Sequence, residues 1–218
     1  MVTKVESLLE TKGALAENEV KEVLKRFNIP TTNFALVKTR KDVDDLNVKY
    51  PVALKICSRK ILHKTDVGGV KLNIENKEDL LKTFDRFVKK FPGETFLVDE
   101  MVEKGVEMII GLVQDPTFGL SIMCGVGGIY TELYQDVSFR VIPIDEYDAR
   151  EMLEEVKGKK LLEGFRNIKA NKELVIDLLL NISQLGEKLI DRIDQMDLNP
   201  VFIYKNSVCV VDAKLILK

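Results

Sequence analysis

The sequence predicts an α+β fold, a mixed α/β chain organised as two subdomains. Three observations predict it. Segments with a 3.6-residue apolar period interleave with alternating segments, without the strict strand–helix–strand order of a parallel sheet. The second half is richer in strand-like runs than the first and closes on two adjacent ones. A chain of 218 residues suffices for one large domain or two small ones sharing a cleft.

The elements follow in order. Residues 1–16 read as a leader. Glu17 to Phe27 is an amphipathic helix with Val20, Val23, Leu24 and Phe27 on one face, and Ile29-Pro30 ends it. Phe34 to Val37 is a strand and Lys41 to Lys49 a short helix. Pro51 to Ile56 is a buried strand with one charge, Lys55, inside it. Val70 to Ile74 alternates as a strand. Glu78 to Phe91 is a helix with Leu80, Leu81, Phe84, Phe87 and Val88 inward, and Thr95 to Met101 is a strand. Val106–Val113 and Leu120–Gly125 flank the turn Gln114-Asp115-Pro116. Val137 to Ile144 is a strand, Asp145 caps a helix to about Val156, and Glu173 to Ile193 is the longest helix. Met196–Tyr204 and Val208–Leu217 form a closing hairpin around Lys205-Asn206-Ser207. This divides the chain into a leader, a subdomain over 17–103 and a second over 104–218.

The 45% hydrophobic content supports a packed core and excludes a disordered chain. A net charge of −2 offers no basic surface for nucleic acid or anionic membrane. Cys57, Cys124 and Cys209 lack CxxC spacing and read as reduced, buried thiols. The N-terminus has no signal-peptide core, and no apolar run reaches the ~20 residues of a membrane span. The expectation is a soluble, cytoplasmic protein.

Several residues have two readings. Lys55 either meets a nucleotide phosphate or faces water from an edge strand, because a lysine on an inner strand face is costly unless it meets an anion. His63 is the only histidine. Its polar segment, Ser58 to Asp66, carries several cations beside it and leads into Val67-Gly68-Gly69. Imidazole is a competent nucleophile toward phosphorus, although a lone histidine is more often structural. Asp197 and Asn199 share a strand face by alternation, and a hairpin can bring Asp212 opposite them. Those oxygens suit Mg²⁺, and the alternative is a polar strand end with an Asn-Pro turn. Glu100-Met101-Val102 ends a strand at the subdomain junction. It reads either as an adenine-binding hinge, with Glu107 meeting ribose, or as a rim of solvated acids. Gly125-Val126-Gly127-Gly128 either admits phosphates to the backbone or turns the chain, and neither GxxxxGK[ST] nor GxGxxG is present. Arg140 is either an anion clamp or an outward strand residue.

Six motifs occur in a telling order: Leu54-Lys55-Ile56, Ile61-Leu62-His63-Lys64-Thr65-Asp66-Val67-Gly68-Gly69-Val70, Asp115-Pro116-Thr117-Phe118-Gly119, Gly125-Val126-Gly127-Gly128-Ile129, Ser138-Phe139-Arg140 and Asp197-Leu198-Asn199-Pro200. From about residue 17 onward the chain resembles the β subunit of the ADP-forming acetyl-CoA synthetases and, more distantly, the ATP-grasp part of succinyl-CoA synthetase. The resemblance implies an ATP-grasp fold, two α+β subdomains gripping nucleotide. It implies the reaction acyl-CoA + ADP + phosphate ⇌ carboxylate + CoA + ATP. It implies a CoA-binding α subunit that carries the first phosphohistidine, in an α2β2 hetero-oligomer. By the same matching, His63 takes the phosphoryl group as a second relay, with Arg140 adding positive charge. Lys55 contacts nucleotide phosphate, Glu100 and Val102 hold adenine, Glu107 meets ribose, and Gly68 and Gly69 count among the nucleotide-binding residues. Asn199 and Asp212 ligate Mg²⁺, and ATP and ADP are the nucleotides.

Three positions depart from the family pattern. Leu120 stands where proline is usual, and Gly164-Phe165-Arg166-Asn167 lacks a second glycine and proline, so Arg166 receives no role. Arg59-Lys60 replaces the commoner Pro-Asp and adds positive charge beside His63. The rival readings are an ATP-grasp carboxylate ligase without a histidine relay and a regulatory adenine-nucleotide module.

Overall fold

The computed structural model describes residues 4–128, 136–163 and 170–218. Ile129 and Gly164–Asn167 of the sequence motifs lie outside the described residues. The first half contains α1 (Lys4–Leu9), β1 (Gly13–Ala14), α2 (Glu17–Arg26), β2 (Phe34–Val37), α3 (Arg40–Asp44), β3 (Val52–Cys57), β4 (Val70–Ile74), α4 (Lys77–Lys90) and β5 (Thr95–Glu100). The second contains β6 (Val106–Asp115), β7 (Gly119–Val126), β8 (Val137–Val141), α5 (Glu146–Glu155), a 3₁₀ turn (Lys157–Leu161), α6 (Lys172–Lys188), β9 (Ile193–Ile203), β10 (Val208–Val210) and β11 (Ala213–Leu217). No described helix is long and apolar enough to cross a membrane.

The chain forms two compact units. One comprises residues 14–18 and 32–103; the other comprises the described residues up to Gly13 together with 19–31 and 104–218. The stretch expected as a leader contains α1 and β1.

In the smaller unit four strands form an antiparallel sheet in the order β2-β5-β3-β4. All six residues of β3 are buried, as expected for a central strand covered on both faces. On one face Leu54 and Ile56 join Phe84 and Phe87 of α4 and Phe96 and Val98 of β5. Phe84 meets Phe96 edge-on at 5.6 Å, a favoured aromatic geometry. On the other face Cys57 packs with Ala16, Leu97 and Phe34. That face also carries Lys55.

In the larger unit the described strands form a sheet in the order β1-β11-β9-β6-β7-β8, with β10 paired to β9. The rows of this sheet alternate between its faces. Met196, Leu112 and Ile122 lie in register with Arg140, and Leu198, Ile110 and Cys124 with Ser138. The apolar members of these rows are buried on the face where α5 packs on β7 and β8, and α6 on β7 and β9. The intervening row, Asp197, Gly111, Met123 and Phe139, belongs to the opposite face.

Helix starts follow local chemistry. Asp145 caps α5 as expected, accepting the Asp148 N–H at 2.9 Å while Asp148 accepts in return from Asp145. Asn76 and Asn171 cap α4 and α6 with side-chain oxygens that accept the Asp79 and Glu173 N–H groups. Other ends differ from expectation. α3 stops at Asp44, and α6 stops at Lys188, so β9 begins at Ile193. The expected strand Val208–Leu217 is two strands, because at Val211 and Asp212 the chain bonds instead to Pro200 and Asn199.

Candidate functional site

The candidate residues of the smaller unit centre on Lys55. Its ammonium lies 2.8 Å from Glu17 Oε1 and 2.7 Å from Asp99 Oδ2, with all three side chains almost wholly buried. Glu17 is the first residue of α2 and Asp99 belongs to β5, the neighbour of β3. Thr32 donates to Asp99, and Lys64 pairs with the second oxygen of Glu17. The edge-strand reading of Lys55 is therefore corrected: β3 is central, and two internal carboxylates stabilise the charge.

His63 sits beside this cluster in sequence but points away from it. Its side chain is 76% exposed, with Nδ1 4.0 Å from the Asp66 carboxylate. The chain after it is closely bonded. The Gly68 N–H donates to Thr65, the Gly69 N–H to the Lys64 carbonyl at 2.7 Å, and the Ile56 N–H to the Gly69 carbonyl at 2.7 Å. Gly68 has φ +62° and Gly69 lies against Ile56, where a Cβ would come within 2.6 Å of Cγ2. Both glycines thus have a conformational reason, closing the turn onto β3.

Glu100 uses its carboxylate to hold neighbouring backbone and side chain. It accepts the Lys49 N–H at 2.8 Å and the Asn33 amide at 3.1 Å. Half-buried Val102 follows in the non-regular stretch before β6.

In the larger unit half-buried Glu107 lies on β6 beneath the glycine run. Its carbonyl accepts the Gly127 N–H at 2.7 Å, and a Cβ on Gly127 would come within 2.7 Å of Glu107 Cγ. The glycines allow the backbone to pass over this side chain.

The structure brings Asn199 and Asp212 together. The Asn199 N–H donates to the Asp212 carbonyl at 3.1 Å, across the β9–β11 pair. β9 carries an extra residue here, since Leu198 and Val201 face Ile110 and Met108; such bulges re-aim side chains. Asn199 is exposed and Asp212 half-buried. An amide oxygen on β9 and a carboxylate in the bend between β10 and β11 fit Mg²⁺, which takes few protein ligands and keeps its other positions for phosphate and water. Among the described residues no group of three or more His, Cys, Asp or Glu forms a metal cage. Asp197, two residues before Asn199, has its pKa raised by burial, opposed by Lys214.

Arg140 stands apart. Its guanidinium makes a two-pronged pair with Glu155 of α5, at 2.6 Å and 3.0 Å, and Ser138 donates to the same carboxylate. Hydrogen bonds from Arg140 and Ser138 hold the Glu155 pKa down to about 2. β6 and β7 separate β8 from β9, a gap of roughly 14 Å at ~4.8 Å per strand. Alternation also puts Arg140 on the face opposite Asp197. In this structure the arginine pairs α5 with the sheet edge. Cys124, beneath it, has its thiol pushed up to about 12, by burial first and then by Glu155. Of the three cysteines, Cys57 and Cys124 are buried and Cys209 is half-buried, all as free thiols.

Sequence reasoning missed Glu17, Lys64, Asp99 and Glu155. Glu17 had one signal, an acid at the start of an amphipathic helix, which reads as a favourable dipole contact and nothing more. Asp99 sat inside the apolar strand Thr95–Met101, the same anomaly that singled out Lys55.

Comparison with known proteins agrees with this architecture. A family model described as an ATP-grasp domain matches residues 6–217. The ADP-forming acetate–CoA ligase II subunit β of Pyrococcus furiosus is 42% identical over 225 residues, covering 98% of this chain and 95% of that one. The ADP-forming acetate–CoA ligase II of Archaeoglobus fulgidus is 38% identical over 205 residues; these are 93% of this chain but only 30% of that protein's length. A solved Ca. Korarchaeum cryptofilum dinucleotide-forming acetyl-coenzyme A synthetase 1 aligns with TM-score 0.81 at 41% identity, over 94% of this chain and 93% of its own. That structure holds coenzyme A and Mg-AMPPCP, with its phosphohistidine segment pointing towards the nucleotide binding site. With a domain match along nearly its whole length and a β-subunit relative aligned almost end to end, this chain belongs to the ATP-grasp family, among the β subunits of the ADP-forming acetate–CoA ligases.

Proposed function

We propose that this chain is the nucleotide-binding subunit of a cytoplasmic ADP-forming acyl-CoA ligase and that His63 passes a phosphoryl group to ADP. The observation that carries the reading is an exposed imidazole on a segment whose base is bonded to β3 directly after Lys55. Relatives that are separate β subunits, beside others about three times longer, support a partner polypeptide. That partner is a CoA-binding α subunit with the first phosphohistidine, in an α2β2 assembly.

The N–P bond on His63 breaks as a terminal oxygen of the ADP β-phosphate bonds to phosphorus, and the imidazole keeps the electron pair. Such transfer depends on in-line positioning and on charge neutralisation more than on covalent help. Lys55, oriented by Glu17 and Asp99, meets nucleotide phosphate. The Asn199 amide oxygen and the Asp212 carboxylate hold Mg²⁺, which when bound supplies positive charge against the phosphates. Glu100 and Val102 offer backbone to adenine, and Glu107 offers a carboxylate to ribose. Gly68 and Gly69 let the backbone approach phosphate. Arg140, paired with Glu155, adds positive charge at longer range.

The test is incubation with Mg-ATP labelled at the γ-phosphate, followed by mass spectrometry. An acid-labile phosphate on His63, absent in His63→Ala, is expected. Turnover by His63→Ala with the α subunit at the wild-type rate overturns the relay.

A further inference from the structure

We infer that Glu17 is a positioning residue for the His63 segment, its one carboxylate tying Lys64 at the base of that segment to Lys55 on β3. The inference rests on the relay reading above and adds to it the part that aims the histidine.

Neighbouring residues here face opposite ways. The His63 side chain is 76% exposed, whereas that of Lys64 is 13% exposed and turns inward to Glu17. Drawing a lysine ammonium out of water is unfavourable without a partner, and lysines near a surface ordinarily keep the charge in solvent. Lys64 is held by its main chain too, since its carbonyl accepts from Gly69, whose own carbonyl accepts from Ile56. Lys64 is thus fastened to β3 twice, and His63 is the first residue beyond the fastening. The other oxygen of Glu17 holds Lys55, 2.8 Å away.

The shared carboxylate gives a coupling with a definite sign. A nucleotide phosphate at Lys55 competes with Glu17 for that ammonium, and Glu17 then turns more fully to Lys64. Nucleotide binding tightens the base of the segment when His63 must deliver its phosphoryl group. By linkage, a fastened segment favours nucleotide binding equally.

Lys64→Met tests the tether without touching Lys55. His63 is labelled with Mg-ATP in the full chain, excess ADP is added, and loss of label is followed in single turnover. Backbone amide exchange over residues 58–69 is measured in parallel. Lys64→Met should slow maximal transfer to ADP at least tenfold, should raise the ADP concentration that half-saturates transfer, and should speed amide exchange of the segment at least tenfold. Lys64→Arg should restore both, and exposed Lys82→Met should change neither. A Glu17→Gln/Lys64→Met double variant should transfer no more slowly than the slower single variant. Wild-type transfer and exchange in Lys64→Met overturn the inference, as does a loss that only tracks a lowered melting temperature. If wild-type His63 takes no label, the relay reading fails, and the exchange arm still decides the tether.

Discussion

Glu17 Oε1 and Lys55 Nζ meet at 2.8 Å with their side chains 3% and 6% exposed, and Asp99 closes on the same ammonium at 2.7 Å. One positive charge therefore sits between two buried negative ones, with Lys64 balancing the second. Removing one member of such a cluster leaves an uncompensated charge. Lys55→Met should cost about 3 kcal/mol of stability by urea unfolding. Pairing it with Glu17→Gln should cost less than the sum of the single changes, because the double variant removes charges of both signs. Additive losses would mean that the pair is not coupled.

The Asn199–Asp212 pair makes a prediction about Mg²⁺ rather than folding. Asn199 is exposed, so Asn199→Ala should change stability by less than about 0.5 kcal/mol. The Mg²⁺ concentration that half-saturates ATP-dependent labelling of His63 should rise at least tenfold in Asn199→Ala and in Asp212→Asn. An unchanged Mg²⁺ titration would remove these residues from the metal site.

The Arg140–Glu155 clamp sets an acid limit. The folded-state carboxylate titrates at about 2, below its ordinary 4.5. Its contribution is therefore complete above pH 4.5 and disappears as pH falls towards 2. Because Glu155 is half-exposed, the pair is worth only about 0.5 kcal/mol, or 1–2 °C in a chain of this size. Glu155→Gln should melt lower than wild type at pH 7, and the two curves should converge near pH 2. A gap that persists there would assign the loss to packing.

Asp197 behaves in the opposite sense. Burial raises its folded-state pKa, so its charge opposes folding at neutral pH and the penalty fades on acidification. Asp197→Asn should raise the melting temperature at pH 7, with the gain shrinking as pH falls towards 3.8 and absent below it. A lowered melting temperature at pH 7 would mean that the pairing with Lys214 outweighs burial.

Much of this protein was determined by sequence alone. Apolar periodicity predicted α2, α4, β3 and the closing strands, because burial of one face imposes that period locally. Asp145 was recognisable as a cap from its own side chain. A short hairpin paired Asn199 with Asp212, since strands joined so closely have little choice of partner. The order of motifs pointed to the family. The tertiary structure alone decided what each charge meets. Lys55 was visible as an anomaly in an apolar strand, but its partners lie 38 residues upstream and on the neighbouring strand. Arg140 was equally visible, and only strand order and register turned it to Glu155 of α5. The close packing of Gly69 and Gly127 became apparent only when their neighbours, Ile56 and Glu107, were in place. Periodicity records whether a side chain faces inward. The identity of its neighbour depends on sheet order, which no local pattern encodes.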